Sequence, residues 1–223
     1  MKTIFKAILL SIPLLFAFDH PLYSQDEGDL LVNKFKKDLE NSIDVVGQLG
    51  AMNAKEQHAR FLIINLFKNP DLSHSVRKRL QDEGGKLVDG IDKENLALLR
   101  EILKTHTWRE LADISAVTVG NAWTIVQHSN DLEFQKDTLK KVEPLVKAGK
   151  MKGYALANML DRIAATENRP QRYGTQSDCI DGKTVIYQIE DPENVDERRK
   201  AIGLGTLAVY LEGLKKVYGE TCS

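Results

Sequence analysis

The chain has 223 residues, with 31 Lys and Arg against 32 Asp and Glu, for a formal net charge of −1. So even a balance creates no long-range field toward nucleic acid or anionic lipid, and no basic stripe interleaved with aromatics marks a nucleic-acid interface. The length suits a single domain with a sizeable core.

Lys2 and Lys6 give a basic start to "AILLSIPLLFAF", an apolar run of 12 residues from Ala7 to Phe18. A membrane-spanning helix needs about 20 apolar residues. A basic start followed by a run of this length reads instead as a secretory signal peptide. Cleavage is expected near Ser24 or Gln25, although Leu22-Tyr23-Ser24 departs from the small-x-small rule. This divides the chain into a signal peptide over residues 1–25 and one mature domain over 26–223, exported to the periplasm or secreted. No second apolar run in the mature part is long enough to cross a membrane, and no cysteine near the cleavage region invites a lipid anchor.

Apolar residues at Leu30, Leu31, Phe35, Leu39, Ile43 and Val46 predict a first helix over Asp29 to Leu49. The next, "AKEQHARFLIINLFKN", is more informative. At a step of 100° per residue, Arg60 falls within about 40° of Ile64 and Phe67, with Glu56 and Gln57 on the same side. His58, Asn65 and Lys68 occupy the other side. An arginine turned inward keeps its charge and calls for a carboxylate partner. The alternative is an arginine that snorkels at the helix end.

Ser73 to Gln81 is predicted as a short charged helix stopped by Gly84-Gly85. Asp92 is expected to begin another, with Leu96, Leu99, Ile102 and Leu103 as its apolar side. Thr107 and Glu110 have capping-box spacing, as do Asn130 and Glu133. Between them lie the β-branched stretch "ISAVTVG" and then "AWTIVQHS". A pause at His128-Ser129 is expected before a helix that runs to Lys147 and stops at Gly149. "YALANMLDRIAATEN" is the clearest amphipathic segment, with Leu156, Met159, Leu160 and Ile163 on one side. Tyr154, Asn158 and Asp161 lie opposite. "RPQRYGTQ" reads as a loop punctuated by Pro170 and Gly174, and "CIDGKTVIYQI" as a β-hairpin turning at Asp181-Gly182. A helix is expected from Asn194, boxed by Glu197 and ended by Gly203, and a last one over Thr206 to Tyr218. The fold class is therefore mainly α: one helical domain with a small β-hairpin near its C-terminal side.

His128 is the leading candidate for general acid–base work, because imidazole titrates near neutral pH. In an unbroken helix, His128, Asp131 and Gln135 would share a face, and Asp131 could orient the ring. If the helix breaks at Asn130, Asp131 belongs to the first turn of the next one. A histidine bonded into a structural network is the competing reading. Asp161 could bring a further carboxylate from another helix. No HExxH, no paired histidines on one helix and no acidic calcium loop is present, so no metal ligand and no cofactor is expected. Ser129 and Cys179 stand in no nucleophile motif. Gln171, Arg172, Tyr173, Thr175 and Gln176 of the polar loop could close over a carbohydrate or peptide, or satisfy buried helix ends with Gly174 supplying the turn. "DERR" at Asp196 to Arg199 reads as a solvated helix face. Cys179 and Cys222 could pair in an oxidising compartment, which would tie the tail to the domain.

Several stretches together carry a resemblance: "EQHAR", "THTW", "AWTIVQHS", "FQKDTLKKVEPLVKAGK", "LANMLDRI", "RPQRYGTQ" and "IEDPENVDERRKAIGL". In this order, from about Glu56 to Tyr210, the chain resembles a bacterial family of unknown function, number 6624. The resemblance implies membership and no activity. Many relatives read His-Ala-Asp where this chain has His128-Ser129-Asn130, so the acid there is displaced by one step to Asp131.

These observations converge on one arrangement: Arg60 and Gln57 face inward and meet the His128 segment and Asp161, under the 171–176 loop. Three functions are compatible with it. The first is an exported hydrolase using His128 and a nearby carboxylate. The second is a non-catalytic module that binds a polar small molecule or a protein. In the third, the polar cluster fixes helix packing. Residues alone leave open whether the chain is an enzyme.

Overall fold

In the computed structural model, the described residues are Lys34 and residues 44–69, 71–180 and 183–218. The expected signal peptide, the first helix up to residue 43, the Asp181-Gly182 turn and Cys222 lie outside them. The expected pairing of Cys179 with Cys222 therefore lies outside them as well. The described part is mainly α, with eight helices and one two-stranded sheet. No described helix is long and apolar enough to cross a membrane. The chain divides into two compact units, with the boundary between Ser129 and Asn130.

In the unit that ends at Ser129, α1 (Val45–Lys68) is capped by Asp44, whose carboxylate accepts from the Gly47 amide at 2.7 Å. It runs through Gly50 without the break expected after Leu49. The helix α2 (His74–Ile102) is also a correction. Gly84-Gly85 does not stop it, and Asp92 lies deep inside it rather than at its start. Two physical reasons account for this. Glycine inside a helix costs only about 1 kcal/mol, and Val88, Ile91, Leu99 and Ile102 continue one buried stripe. Gly84 also has a packing task. A Cβ there would sit 3.0 Å from Ile63 Cδ1, so its bareness lets α2 pass close to α1.

The short α3 (Trp108–Ile114) begins with the expected capping box: Thr107 and Glu110 bond reciprocally. Ser115 then caps α4 (Ala116–His128), accepting from the Thr118 amide at 3.0 Å. The β-branched stretch is thus helical from Ala116, and Val119, Ile125 and Val126 of α4 are fully buried. α1, α2 and α4 pack against one another.

The pause at His128-Ser129 is present, but in the unit from Asn130 the cap is not Asn130. Asp131 caps α5 (Leu132–Lys147), accepting from Phe134 N at 2.9 Å. Gly149 follows with φ of +70°. α6 (Gly153–Thr166) is buried on more than its apolar side, because Asn158 and Asp161 are as inaccessible as Met159. Strands β1 (Ser177–Ile180) and β2 (Lys183–Ile186) pair antiparallel, with Ile180 opposite Lys183. A 3-10 turn over Pro192–Asn194 leads into α7 (Val195–Ala201). The capping box expected at Asn194 does not form, since its side-chain amide donates to the Asp191 carboxylate at 3.0 and 2.9 Å. Gly203 follows at φ +75°, and α8 (Leu207–Tyr218) comes last.

Candidate functional site

The unit ending at Ser129 holds a charged cluster built from α1, α2 and α4. One turn apart on α1, Glu56 and Arg60 share a face, as i, i+4 residues do. That face is inward: Glu56 is 0 % exposed and Arg60 2 %. The carboxylate that an inward arginine requires is Asp92 of α2, whose Oδ2 accepts from Arg60 Nη2 at 2.6 Å. Arg60 Nη1 also reaches the Glu56 carbonyl at 3.4 Å. His128, the last residue of α4, brings Nδ1 within 2.7 Å of Glu56 Oε1, and Gln57 Nε2 donates to the same oxygen at 3.0 Å.

Electrostatics differ at the two acids. Burial would raise the Glu56 pKa. The facing His128, through its charge and its hydrogen bond, together with Arg60 and Gln57, outweighs burial and holds it below the ordinary range. An ionised carboxylate only accepts, so His128 Nδ1 carries the proton in this bond. Burial wins at Asp92, against the attraction and hydrogen bond of Arg60, and Glu56 and Asp89 add to it. Its pKa is pushed up to about 6.

The bonding is incomplete. Glu56 Oε2, Asp92 Oδ1 and Arg60 Nε are buried and have no hydrogen-bond partner. Ligand-type atoms of Glu56, Asp92 and His128 all lie within 4.8 Å of one another. The cluster can therefore relay a proton along the Glu56–His128 bond and offer carboxylate oxygens to a donor or cation.

The other expected site residues occupy different roles. Asp161 belongs to the unit from Asn130, where it organises the polar loop. Its Oδ1 accepts from the amides of Arg172 and Tyr173 at 2.7 and 3.0 Å, and its Oδ2 from the amide and hydroxyl of Thr175, both at 2.9 Å. Burial raises the Asp161 pKa, and these donors oppose it. Gln171 closes the loop on itself, donating to the Gln176 carbonyl at 2.9 Å and accepting from its amide at 2.9 Å. Gly174 turns at φ +71°. Tyr173, Thr175 and Gln176 are buried, and so is Gln135 on α5. Arg172 is exposed and reaches Glu190 at 3.3 Å. Arg199, expected on a solvated face, is 3 % exposed and donates to the carbonyls of Tyr173 and Gly205 at 2.6 and 2.7 Å. Beneath the loop, Arg169 and Arg172 border an open groove of about 510 Å³ with Lys136 and Lys140, and its walls also carry Glu133, Glu167 and Glu190.

Sequence reasoning missed Glu56 and Asp92 as members of the His128 site. Glu56 had a signal, being one helical turn before an inward arginine. Asp92 is in phase with Val88, Asn95 and Leu99, but that phase is visible only if the helix continues through Gly84-Gly85.

Residues 81–222, well over half of the chain, match the model of a family of unknown function (DUF6624), and the chain belongs to that family. No curated protein and no solved structure is significantly similar to it. Asp92, His128 and Asp161 fall within the matched stretch, whereas Glu56 and Arg60 precede it.

Proposed function

We propose that this member of the family is an exported helical protein that binds a small hydrogen-bond donor or cation at Glu56, Asp92 and His128. The Glu56–His128 pair is its acid–base element. The observation that supports this is the pair of orphaned oxygens, Glu56 Oε2 and Asp92 Oδ1. A buried acceptor without a partner costs about 1–3 kcal/mol, and an occupant that donates or carries positive charge removes that cost. Because the two orphaned carboxylate atoms are acceptors, the occupant seated on them is a hydroxyl, an amine or a cation, and Arg60 Nε is a buried donor beside them. A histidine hydrogen-bonded to an ionised carboxylate also suits hydrolysis as a general acid–base group. The apolar run after Lys2 and Lys6 supports export.

The test is thermal unfolding of the full chain against a panel of hexoses, dipeptides, alkylammonium ions and divalent cations, for the wild type and for His128→Gln. At 100 times its Kd, a ligand stabilises the folded protein by about 2.7 kcal/mol. The expected outcome is a rise in Tm for at least one member of the panel that His128→Gln abolishes. A wild type that responds to none of them overturns the proposal.

A second reading has its own observation. All four charged side chains are nearly inaccessible and join three helices, as in a network that fixes packing. It expects the same loss of stability on substitution but no response to any ligand.

A further inference from the structure

We infer that the occupant of this site is one divalent first-row transition-metal ion, held by Glu56, Asp92 and His128. The inference rests on the ligand-binding reading of the cluster and names its ligand.

Four features of the cluster point to it. The three side chains come from three different helices, yet their donor atoms converge within 4.8 Å, a span that one ion can bridge. The orphaned oxygens belong to the two carboxylates of the set, which are 0 % and 6 % exposed. Each acid is already tethered through its other oxygen: Arg60 holds Asp92 Oδ2 and Gln57 holds Glu56 Oε1, while the ion would take the place of the proton on His128 Nδ1. That is the outer-shell arrangement that orients metal ligands. Lastly, beside their partners His128 and Arg60, the two buried carboxylates repel each other, and such repulsion is expensive. A divalent cation compensates it, and a water molecule does not.

The donor set narrows the ion. Two carboxylates and an imidazole suit zinc or manganese better than calcium, which prefers an all-oxygen shell, or copper(I), which prefers sulfur. With three protein ligands, the ion would keep a coordination position for water or substrate, as catalytic zinc sites do.

The experiment is a calorimetric titration of the chelator-stripped full chain with zinc and, separately, manganese. The His128 ring signals are followed by NMR through the same additions. The inference expects one equivalent to bind and the ring signals to shift. Asp92→Asn and His128→Gln should weaken binding by more than about 100-fold, and Gln57→Ala by about 10-fold through the outer shell. Far-UV circular dichroism identifies any variant that does not fold, and the wild-type titration stands without the variants. Zinc binding that survives in folded His128→Gln belongs to other groups, such as His74 or His106, and overturns the inference. If neither metal binds while a hexose, dipeptide or alkylammonium ion shifts the ring, the metal is wrong and the ligand-binding reading stands. If nothing shifts the ring, both fail.

Discussion

Arg60 shows how one buried residue commits its neighbours. Its guanidinium keeps its charge, and breaking a buried pair by removing one partner typically costs about 3–5 kcal/mol. Arg60→Met should therefore destabilise the protein by about that amount in denaturant unfolding, well beyond the effect of changing an exposed ion pair such as Lys78–Asp82. Asp92 carries a distinct pH signature. Its folded pKa of about 6 lies above the unfolded value near 4, so the folded state binds this proton more tightly. Stability from this group is thus fully present below about pH 4 and falls as pH rises to about 6. Glu56 works the other way: its depressed pKa contributes stability above the ordinary glutamate range, which is lost as pH falls. Subtracting the stability of Asp92→Asn from that of the wild type isolates the first effect. The difference should decline by a few kcal/mol between about pH 4 and 6 in urea unfolding, and a flat or rising difference contradicts the assignment. An inward Arg60 was one of two readings of α1 alone, beside snorkelling at the helix end, and its 2 % exposure decides for the first. Its partner was not legible there, because Asp92 lies 32 residues away on a face that only packing defines. The Glu56–His128 bond spans 72 residues, so the position of Glu56 one turn before Arg60 gave its inward face but not its partner.

At the scale of elements, glycines separate local preference from packing. Gly120 sits inside α4, and a Cβ added there would meet nothing within 4 Å, so Gly120→Ala should stabilise by about 0.5–1 kcal/mol. Gly153 begins α6, where a Cβ would lie 1.9 Å from the Ile202 carbonyl oxygen, a backbone atom that cannot rotate aside. Gly153→Ala should destabilise by about 1–3 kcal/mol. Thermal unfolding of the two variants should move in opposite directions. Asp161 is the corresponding test for the loop. Asp161→Asn removes a charged acceptor from three amides and a hydroxyl, and amide exchange at Tyr173 and Thr175 should accelerate while α1 and α2 stay protected. The same contrast explains what could be read in advance. Thr107 with Glu110 and the hairpin strands announce themselves through short-range chemistry. Gly84-Gly85 misleads, because Gly84 serves a helix contact with Ile63 rather than a stop.

For the whole molecule, the family match from residue 81 to 222 spans parts of both compact units yet leaves Glu56 and Arg60 outside it. The proposed site therefore joins two residues inside the matched stretch to residues from the helix that precedes it. If the proposed export holds, N-terminal sequencing of the processed protein should begin near Gln25 or Asp26. The most direct measurement of the central claim follows the His128 ring nitrogens by long-range proton–nitrogen NMR in the full chain, as zinc, manganese and small hydrogen-bond donors are added in turn. A ligand-binding cluster predicts that at least one addition shifts both ring nitrogens in the wild type and leaves Asp92→Asn unchanged. Ring signals that stay fixed under every addition would contradict it and leave Glu56, Arg60, Asp92 and His128 as a network that holds three helices together.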